Sequence, residues 1–526
     1  MNALNCKQFR EMLVSGANNL ANQHEYINTL NVFPVPDGDT GTNMNMTFGS
    51  GVREAVKLPS ENIGEVSKAL GKNMLMSARG NSGVILSQIF KGIYRSLTDK
   101  QTATAQDFCE AFENASRIAY KAVMKPVEGT ILTVIRESSE DASRFFKANK
   151  KCTVEQYFQA LEEAARKSLE HTPELLPVLK EVGVVDSGGA GLVTIIEGFN
   201  AYLHGKPIAL AGAQEVKAAE KGYCVEVALK VNNKDHDFDN FRNLLGHSGS
   251  IENVAREDDV IRLHVHTLKP GDVLNRCQKE GILETIKIEN LEVDHHVTLD
   301  YTEKEIENVP YAVISVVNGK GIEEMFRQAG VEYFVSGGQT MNPAAGDFVS
   351  VIRNIHADTV FILPNNSNII LAAQRAKKVV KDRNVIVLET KSIPQGLSAV
   401  LALDITADPD TNTDNMKEAI RNVKTGSVTT AIKDTSFNKV TIHKDDYMGI
   451  FEKDIVVSSP DMMEAARKLI DAMIDEDASY VTLIYGLGAD EGQAHEIEKY
   501  ITDKYQLDCG VSSGGQDIYP FIIGVE

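Results

Sequence analysis

The sequence predicts a multidomain protein with an all-helical N-terminal domain, a small α+β middle module and an α/β C-terminal domain. Three observations support this prediction. The chain has 526 residues, which is enough for about three domains of ordinary size. Apolar residues make up 43% and charged residues 24%, the composition of a folded globular protein. The period of the apolar residues changes after residue 205 and again near residue 310.

Residues 1–205 are predicted to form the helical domain. Apolar or small residues recur from Phe108 to Val123 at close to the helical period. Another helix is predicted to begin at Thr153, which forms a capping-box pair with Gln156. Loops rich in Gly, Asp and Asn separate these helices, and such loops on a rigid scaffold commonly carry function.

The rest of the chain changes pattern twice. Residues 206–221 are small and polar and lack an amphipathic face, so they are predicted to be a linker. Residues 222–300 follow strand and helix periods in the order β-α-β-β-α-β, which is typical of a ferredoxin-like module. In residues 308–526, apolar runs such as 311–317 and 359–364 alternate with helical stretches, which predicts a largely parallel α/β sheet.

The excess of acidic residues restricts the partners of the protein. With 74 Asp and Glu against 54 Lys and Arg, the net charge is −20, and we do not expect binding to nucleic acid. The 6 cysteines are far apart, which favours a reducing compartment. A signal core is lacking, and no apolar stretch approaches the ~18–20 residues of a membrane helix. These features predict a cytoplasmic protein without stable membrane insertion.

Residues 31–44, NVFPVPDGDTGTNM, form the most informative motif. Only Gly38 separates Asp37 from Asp39, so the two carboxylates can converge on one hard cation, and Asn31 could add a carbonyl oxygen. Magnesium suits this sparse set because it keeps sites open for water and for the phosphate oxygens of a nucleotide. An exposed Asp-Gly-Asp turn explains the same residue types equally well.

Three further loops precede apolar helical stretches: SARGNSG at 77–83, PVEGT at 126–130 and VDSGGAG at 185–191. Glycine-rich backbone that leads into a helix can offer N–H groups to a phosphate. Arg79 could neutralise charge on a transferring phosphoryl group. A helix cap with a solvated arginine is an equally good interpretation of the first loop, and each loop alone is a weak signal.

Taken in order, NVFPVPDGDTGTNM, SARGNSGVILSQIF, PVEGTIL and VVDSGGAGL resemble the nucleotide-binding domain of the dihydroxyacetone kinase family. With the middle module and a C-terminal part similar to the DegV family, the whole arrangement resembles the ATP-binding subunits of bacterial fatty acid kinases. The resemblance implies a barrel of helices that binds ATP at one end through two Mg²⁺ ions. It also implies a DegV-like C-terminal domain.

The resemblance assigns roles to the residues of these motifs. Asp37 and Asp39 would be Mg²⁺ ligands, and Asn31 stands near the place of a third aspartate in the family pattern. Arg79 is the catalytic candidate. The remaining motif residues would contact the nucleotide, and they are Thr40, Gly41, Thr42, Asn43, Gly80, Asn81, Ser82, Gly83, Thr130, Asp186, Ser187 and Gly188.

The implied reaction transfers the γ-phosphoryl group of ATP to the carboxylate of a fatty acid held by a separate DegV-family binding protein. The product would be an acyl phosphate. No general base is required, because a carboxylate is ionised at neutral pH. A homodimer is also expected from the size and the resemblance. Two alternatives are a kinase for a small polyol such as dihydroxyacetone, and a non-catalytic lipid-binding or regulatory protein.

The middle module contains a second candidate metal site. His264 and His266 lie two apart in a predicted strand and so share a face, and Cys224 lies in the first strand of the module. If these strands are neighbours, the three side chains suit Zn²⁺, and the resemblance supports such a cluster. A buried cysteine with two hydrogen-bonded histidines is the open alternative.

Polar loops follow several predicted strands of the C-terminal domain, at residues 336–340, 364–368 and 512–516. Ligands of open α/β folds bind beyond the carboxyl ends of the strands. A lipid or phosphate site, a docking surface for a partner protein, and ordinary turns are all open interpretations.

Overall fold

The structure is a computed structural model that describes residues 1–31, 38–123, 125–211, 223–231, 238, 241, 245, 250–257, 260–290, 308–338, 342–431, 434–437 and 440–526. The chain divides into two compact units. One is Met1–Ala211 with Ile306–Glu526, and the other is Gly212–Glu305. The first unit contains both the helical N-terminal domain and the α/β C-terminal domain.

Helices dominate the N-terminal domain, as predicted, and a short antiparallel strand pair, β1 with β2, accompanies them. The elements are β1 (Ala3–Leu4), α1 (Cys6–Leu30), α2 (Thr40–Lys57), α3 (Ile63–Met76), α4 (Gly80–Leu97), β2 (Ala103–Thr104), α5 (Ala105–Ala122), α6 (Ile131–Ala148), α7 (Val154–Leu175), α8 (Pro177–Val182) and α9 (Ser187–Leu203). That these helices close into a barrel stays a prediction.

The start of α7 shows how local sequence fixes these helices. Thr153 Oγ1 accepts a hydrogen bond from Gln156 N at 3.3 Å, and Gln156 Oε1 accepts one from Thr153 N at 2.9 Å. This capping box confirms the predicted helix start. Phe158 and Leu161 then turn inward and are fully buried in the domain core. Packing of this kind holds the ends of the helices in fixed positions.

The middle unit contains one antiparallel sheet with the strand order β4-β5-β3-β6. Its elements are β3 (Tyr223–Val231), β4 (Ser250–Glu257), β5 (Val260–Thr267), α10 (Pro270–Glu280) and β6 (Gly281–Asn290). The ferredoxin-like fold stays a prediction, because most of the segment between β3 and β4 lies outside the described residues.

The C-terminal domain contains two larger sheets and a two-stranded antiparallel sheet, β12 with β13. A parallel sheet has the order β10-β9-β7-β8, and a second sheet has the order β15-β14-β11-β18-β16-β17. The elements are β7 (Val309–Val317), α11 (Lys320–Gln328), β8 (Tyr333–Ser336), α12 (Ala345–Arg353), β9 (Ala357–Leu363), α13 (Ile370–Val379), β10 (Asn384–Val387), α14 (Ile393–Leu401), α15 (Pro409–Asn422), β11 (Lys424–Thr430), β12 (Thr435–Phe437), β13 (Val440–Ile442), β14 (Tyr447–Phe451), β15 (Asp454–Ser459), α16 (Met462–Met473), β16 (Tyr480–Tyr485), α17 (Glu491–Tyr505), β17 (Asp508–Ser513) and β18 (Phe521–Val525).

The α/β class of this domain is confirmed, but the prediction of a largely parallel sheet is wrong for its second half. In the second sheet, β16 pairs in parallel with β17. The other pairs of this sheet are antiparallel, and they are β16 with β18, β18 with β11, β11 with β14, and β14 with β15. Continuous apolar runs report burial of both faces, and an antiparallel strand that is buried on both faces can show the same pattern as a parallel one. Of the helices that the structure describes, none has the length and hydropathy needed to cross a bilayer.

Candidate functional site

A cavity of about 560 Å³ lies between the helical domain and the C-terminal domain. One side of the cavity is formed by the N-terminal ends of α2, α4, α6 and α9. On the other side it is lined by residues that follow β7, β8, β9 and β10, at the carboxyl ends of the parallel strands. Ligands of α/β folds bind at this edge of the sheet, and helix N-termini favour anions. The cavity is therefore the candidate functional site.

Asp39 is an acidic residue on the helical side of the cavity. It precedes α2 and is only 6% exposed, yet its carboxylate does not cap the helix. Asp39 Oδ2 instead accepts a hydrogen bond from Asn342 Nδ2 of the C-terminal domain. Burial raises the pKa of Asp39 to about 6, and hydrogen bonds from Asn43 and Asn342 oppose this shift. A carboxylate that is desolvated in this way gains from a bound cation.

The donor set around Asp39 fits magnesium. Asn31, Asp39 and Thr40 all line the cavity and carry side-chain oxygens. Mg²⁺ binds oxygen ligands, and it typically takes only one or two carboxylates from a protein. Its other coordination positions are then left for water and phosphate oxygens. Asp37, the other predicted ligand, lies outside the described residues, so its role stays a prediction.

The start of α4 forms the second wall. Asn81 and Ser82 line the cavity, and Asn81 Nδ2 donates to Asn368 Oδ1 of the C-terminal domain at 2.9 Å. Gly80 does not line it, but its φ of +58° belongs to the left-handed region. A Cβ at Gly80 would lie 2.6 Å from Asn43 Nδ2, so a glycine is needed for α4 to begin here.

Gly80→Ala is expected to lower stability and weaken nucleotide binding together. The left-handed backbone costs about 1–2 kcal/mol for a residue with a Cβ, and the contact displaces Asn43. Gly205→Ala is the matched control, because Gly205 has φ +73° and no atom lies within 4 Å of the added Cβ. Thermal unfolding should report a loss in both variants. Titration with ADP and Mg²⁺ should report weaker binding for Gly80→Ala alone, and equal affinities would contradict a nucleotide site at this helix end.

Arg79 lies just before α4, but it is not among the described residues that line the cavity. Its guanidinium Nη1 donates to the backbone carbonyl of Asn342 at 2.8 Å and lies 3.8 Å from a carboxylate oxygen of Asp347. An isolated antiparallel β-bridge also joins Arg79 to Ala344. In this structure the side chain therefore ties the two domains together, and its catalytic role stays a prediction.

The starts of α6 and α9 form the third wall. Thr130 caps α6, Asp186 caps α9, and both line the cavity together with Ser187 and Gly188. The Asp186 carboxylate accepts from Gly189 N at 2.7 Å and also from the backbone N–H of the first residue of α6. It thereby joins the two helix ends. The residue as a whole is half-buried, but its carboxyl group is removed from water. This desolvation raises the pKa of Asp186 to about 6.

Other predicted nucleotide residues serve packing near the site and do not line the cavity. Gly41 lies where α2 crosses the backbone of His24 in α1. Thr42 N donates to Asn28 Oδ1 at 3.1 Å, and Thr42 Oγ1 accepts from Asn28 Nδ2 at 2.9 Å. A Cβ at Gly83 would lie 2.5 Å from a hydroxyl oxygen of α2. These residues hold α2 against its neighbours, and contact with a nucleotide stays a prediction for them.

The predicted zinc ligands lie on adjacent strands. In the backbone register, Cys224 of β3 is opposite His266 of β5, and His264 is opposite Glu226. The side chains of Cys224, His264 and His266 are outside the described part of the structure, so zinc binding stays a prediction.

The three polar loops predicted in the C-terminal domain all reach the cavity, where the described lining includes Gly337, the range 364–368 and Gln516. Residues 339–340 of the first loop lie outside the described residues. No sequence pattern indicates Asn342, which lies beyond the end of that loop. A single asparagine outside a glycine-rich segment carries no local signal for a contact with a residue 303 positions away.

Comparison with known families gives three matches in chain order. Residues 34–201 match the DAK2 domain, residues 220–298 match the FakA-like middle domain of fatty acid kinase, and residues 312–526 match the FakA-like C-terminal domain of fatty acid kinase. The three ranges together span nearly the whole chain.

Similar proteins extend over the full length. Protein YloV of Bacillus subtilis (strain 168) is 40% identical, and the uncharacterized protein SSP1546 of Staphylococcus saprophyticus is 41% identical, each over 99% of both chains. Among solved structures, the DegV family protein Cg2579 from Corynebacterium glutamicum is 13% identical, with a TM-score of 0.33 over 41% of this chain and 96% of that chain.

Proposed function

This chain belongs to the FakA-like family of fatty acid kinase proteins, and we propose that it transfers the γ-phosphoryl group of ATP to a fatty acid. The products are an acyl phosphate and ADP. The DAK2 match indicates a kinase-type function, and the acyl substrate is the part that we propose.

The buried Asp39 carboxylate, in a cavity that four helix N-termini line, is the observation that supports this function most directly. Helix N-termini offer N–H groups and partial positive charge to phosphate oxygens. A carboxylate among these helix ends provides a ligand for the cation that would neutralise the phosphates. Phosphoryl transfer depends mainly on alignment and charge neutralisation, which this arrangement can provide.

Each wall of the cavity has a proposed task. When bound, Mg²⁺ would neutralise phosphate oxygens, and Asp39 with Asn31 and Asp37 would hold it. The residues proposed to bind the phosphates at the starts of α2 and α4 are Thr40, Asn43, Asn81 and Ser82. Those proposed to lie at the nucleoside are Thr130, Asp186, Ser187 and Gly188.

The acceptor needs no activation by the protein. A fatty acid carboxylate is ionised at neutral pH, so its oxygen can attack the γ-phosphorus directly. The bond between that phosphorus and the bridging oxygen breaks, and ADP leaves with the electron pair. Repulsion between the two anions is the main barrier, and Mg²⁺ with Arg79 would offset it.

The partners are also part of the proposal. We propose that a separate DegV-family protein holds the fatty acid, that the chain acts as a homodimer, and that Cys224, His264 and His266 bind Zn²⁺. Family membership supports the first two, and the register of Cys224 opposite His266 supports the third.

The decisive experiment mixes the purified protein with ATP, Mg²⁺ and a fatty acid, with and without a DegV-family protein. ATP consumption that requires both the fatty acid and the partner is the expected result. Phosphorylation of dihydroxyacetone without any response to fatty acid would favour a small-polyol kinase. Binding of fatty acid without ATP consumption under any condition would favour a non-catalytic role.

A further inference from the structure

Asn342 lies between β8 and α12 and is completely buried where the C-terminal domain meets the helical domain. Its side-chain Nδ2 donates to Asp39 Oδ2, and its backbone carbonyl accepts from Arg79. One residue of the C-terminal domain thus contacts the loops that precede both α2 and α4. Asn81 and Asn368 add a second amide contact between the same two domains.

We propose that Asn342 is a positioning residue of the magnesium–nucleotide site, so that the C-terminal domain fixes the orientation in which Asp39 binds the cation. This inference rests on the proposed function, because it takes Asp39 as a magnesium ligand. It assigns the C-terminal domain a part in nucleotide binding, which is otherwise placed on the helical domain alone.

The carboxylate of Asp39 has more acceptor sites than its two amide partners use. An ionised carboxylate has about four acceptor sites on its two oxygens. Asn342 uses one site on Oδ2, and Asn43 of α2 supplies a second amide, so acceptor sites remain for a cation. With one amide from each domain, the carboxylate cannot rotate freely. Outer partners that orient a metal ligand typically contribute about 10–100-fold to metal affinity.

Asn342 has a second polar side-chain atom. Its Oδ1 is buried and has no hydrogen-bond partner in the described part of the chain. A buried acceptor without a donor costs on the order of 1–3 kcal/mol, so native structures seldom keep one without a reason. Asn342 is not among the described residues that line the cavity, so a donor for this oxygen would have to arrive with the cation at Asp39, for example as a water molecule bound to that cation.

The test compares Asn342→Leu with the wild-type chain in the binding of ADP. Leucine keeps the branched shape of asparagine but loses both polar atoms, and the backbone carbonyl that accepts from Arg79 is unchanged. We expect the Mg²⁺ concentration for half-maximal ADP binding, measured by calorimetry, to rise about 10–100-fold. The affinity for ADP in EDTA should stay within twofold. If the leucine variant does not fold, Asn342→Ala provides the same measurement.

Met76→Ala is the matched control for loss of domain docking. Met76 of α3 packs against the core of the C-terminal domain, and the substitution weakens this interface without removing a contact to Asp39. Its Mg²⁺ midpoint should equal that of the wild-type chain. An unshifted midpoint in the Asn342 variants, or an equal shift in Met76→Ala, would overturn the positioning role and leave the proposed function standing. A wild-type chain without Mg²⁺-dependent ADP binding would overturn both.

Discussion

Asp39→Asn should abolish magnesium-dependent turnover of ATP while the protein stays folded. Asparagine keeps the shape of the side chain but removes the charge that binds the cation. Coordination of a phosphoryl group by a metal supplies several kcal/mol of charge stabilisation, and each ~1.4 kcal/mol is tenfold in rate. We therefore expect kcat/KM for ATP to fall on the order of 10³-fold in a coupled assay for ADP.

The stability of the same variant separates loss of the metal site from loss of the fold. Burial raises the pKa of Asp39 to about 6, so in metal-free protein at pH 7.5 the ionised carboxylate opposes folding. Removal of this charge should keep or raise the melting temperature measured in EDTA.

Asp141→Asn is the control, because Asp141 is a partly exposed carboxylate on α6 that pairs with Arg144 and is not among the residues that line the cavity. It should retain wild-type turnover. Normal turnover in Asp39→Asn would remove Asp39 from the metal site, and an unfolded Asp39→Asn would show that its role is structural.

The position of the site could be predicted from local sequence because its parts are helix starts. Asp39, Asn81, Thr130 and Asp186 each stand at the first turn of a helix or just before it, and capping residues and glycines mark such places. The spatial order of these helix ends could not be predicted, since helix packing determines it. The contact of Asn342 with Asp39 is even harder to predict from the sequence, because no periodicity links residues in different domains.

In the C-terminal domain, the direction of several strands could not be predicted from the sequence. The apolar runs of residues 311–317 and 359–364 identify β7 and β9 as buried strands, and these two strands do pair in parallel. β14 and β15 are short, and residues 452–453 join them in a tight turn with φ +55° at Glu452. Such a turn forces an antiparallel pair, but without an Asn-Gly or Asp-Gly signal it is not visible as a hairpin in the sequence. Strand direction therefore depended on a connection that the sequence did not reveal.

Gly41→Ala should be among the most destabilising single substitutions near the site. Gly41 is the second residue of α2, and a Cβ there would overlap the backbone carbonyl oxygen of His24 in α1. Backbone cannot move aside as a flexible side chain can, so the two helices must separate. Overpacking of this kind costs about 1–3 kcal/mol or more, and Asp39, two residues earlier, would move with the helix. We expect a lower melting temperature and weaker binding of ADP with Mg²⁺.

Gly49→Ala in the same helix is the matched control for this prediction. A Cβ at Gly49 would meet only the end of the Arg53 side chain, at 3.6 Å. Alanine in a helix is favoured over glycine by roughly 0.5–1 kcal/mol, so this variant should unfold at the same or a higher temperature. If Gly41→Ala kept wild-type stability but lost ADP binding, Gly41 would contact the nucleotide directly. If it lost both, the close approach of α1 and α2 is what places Asp39.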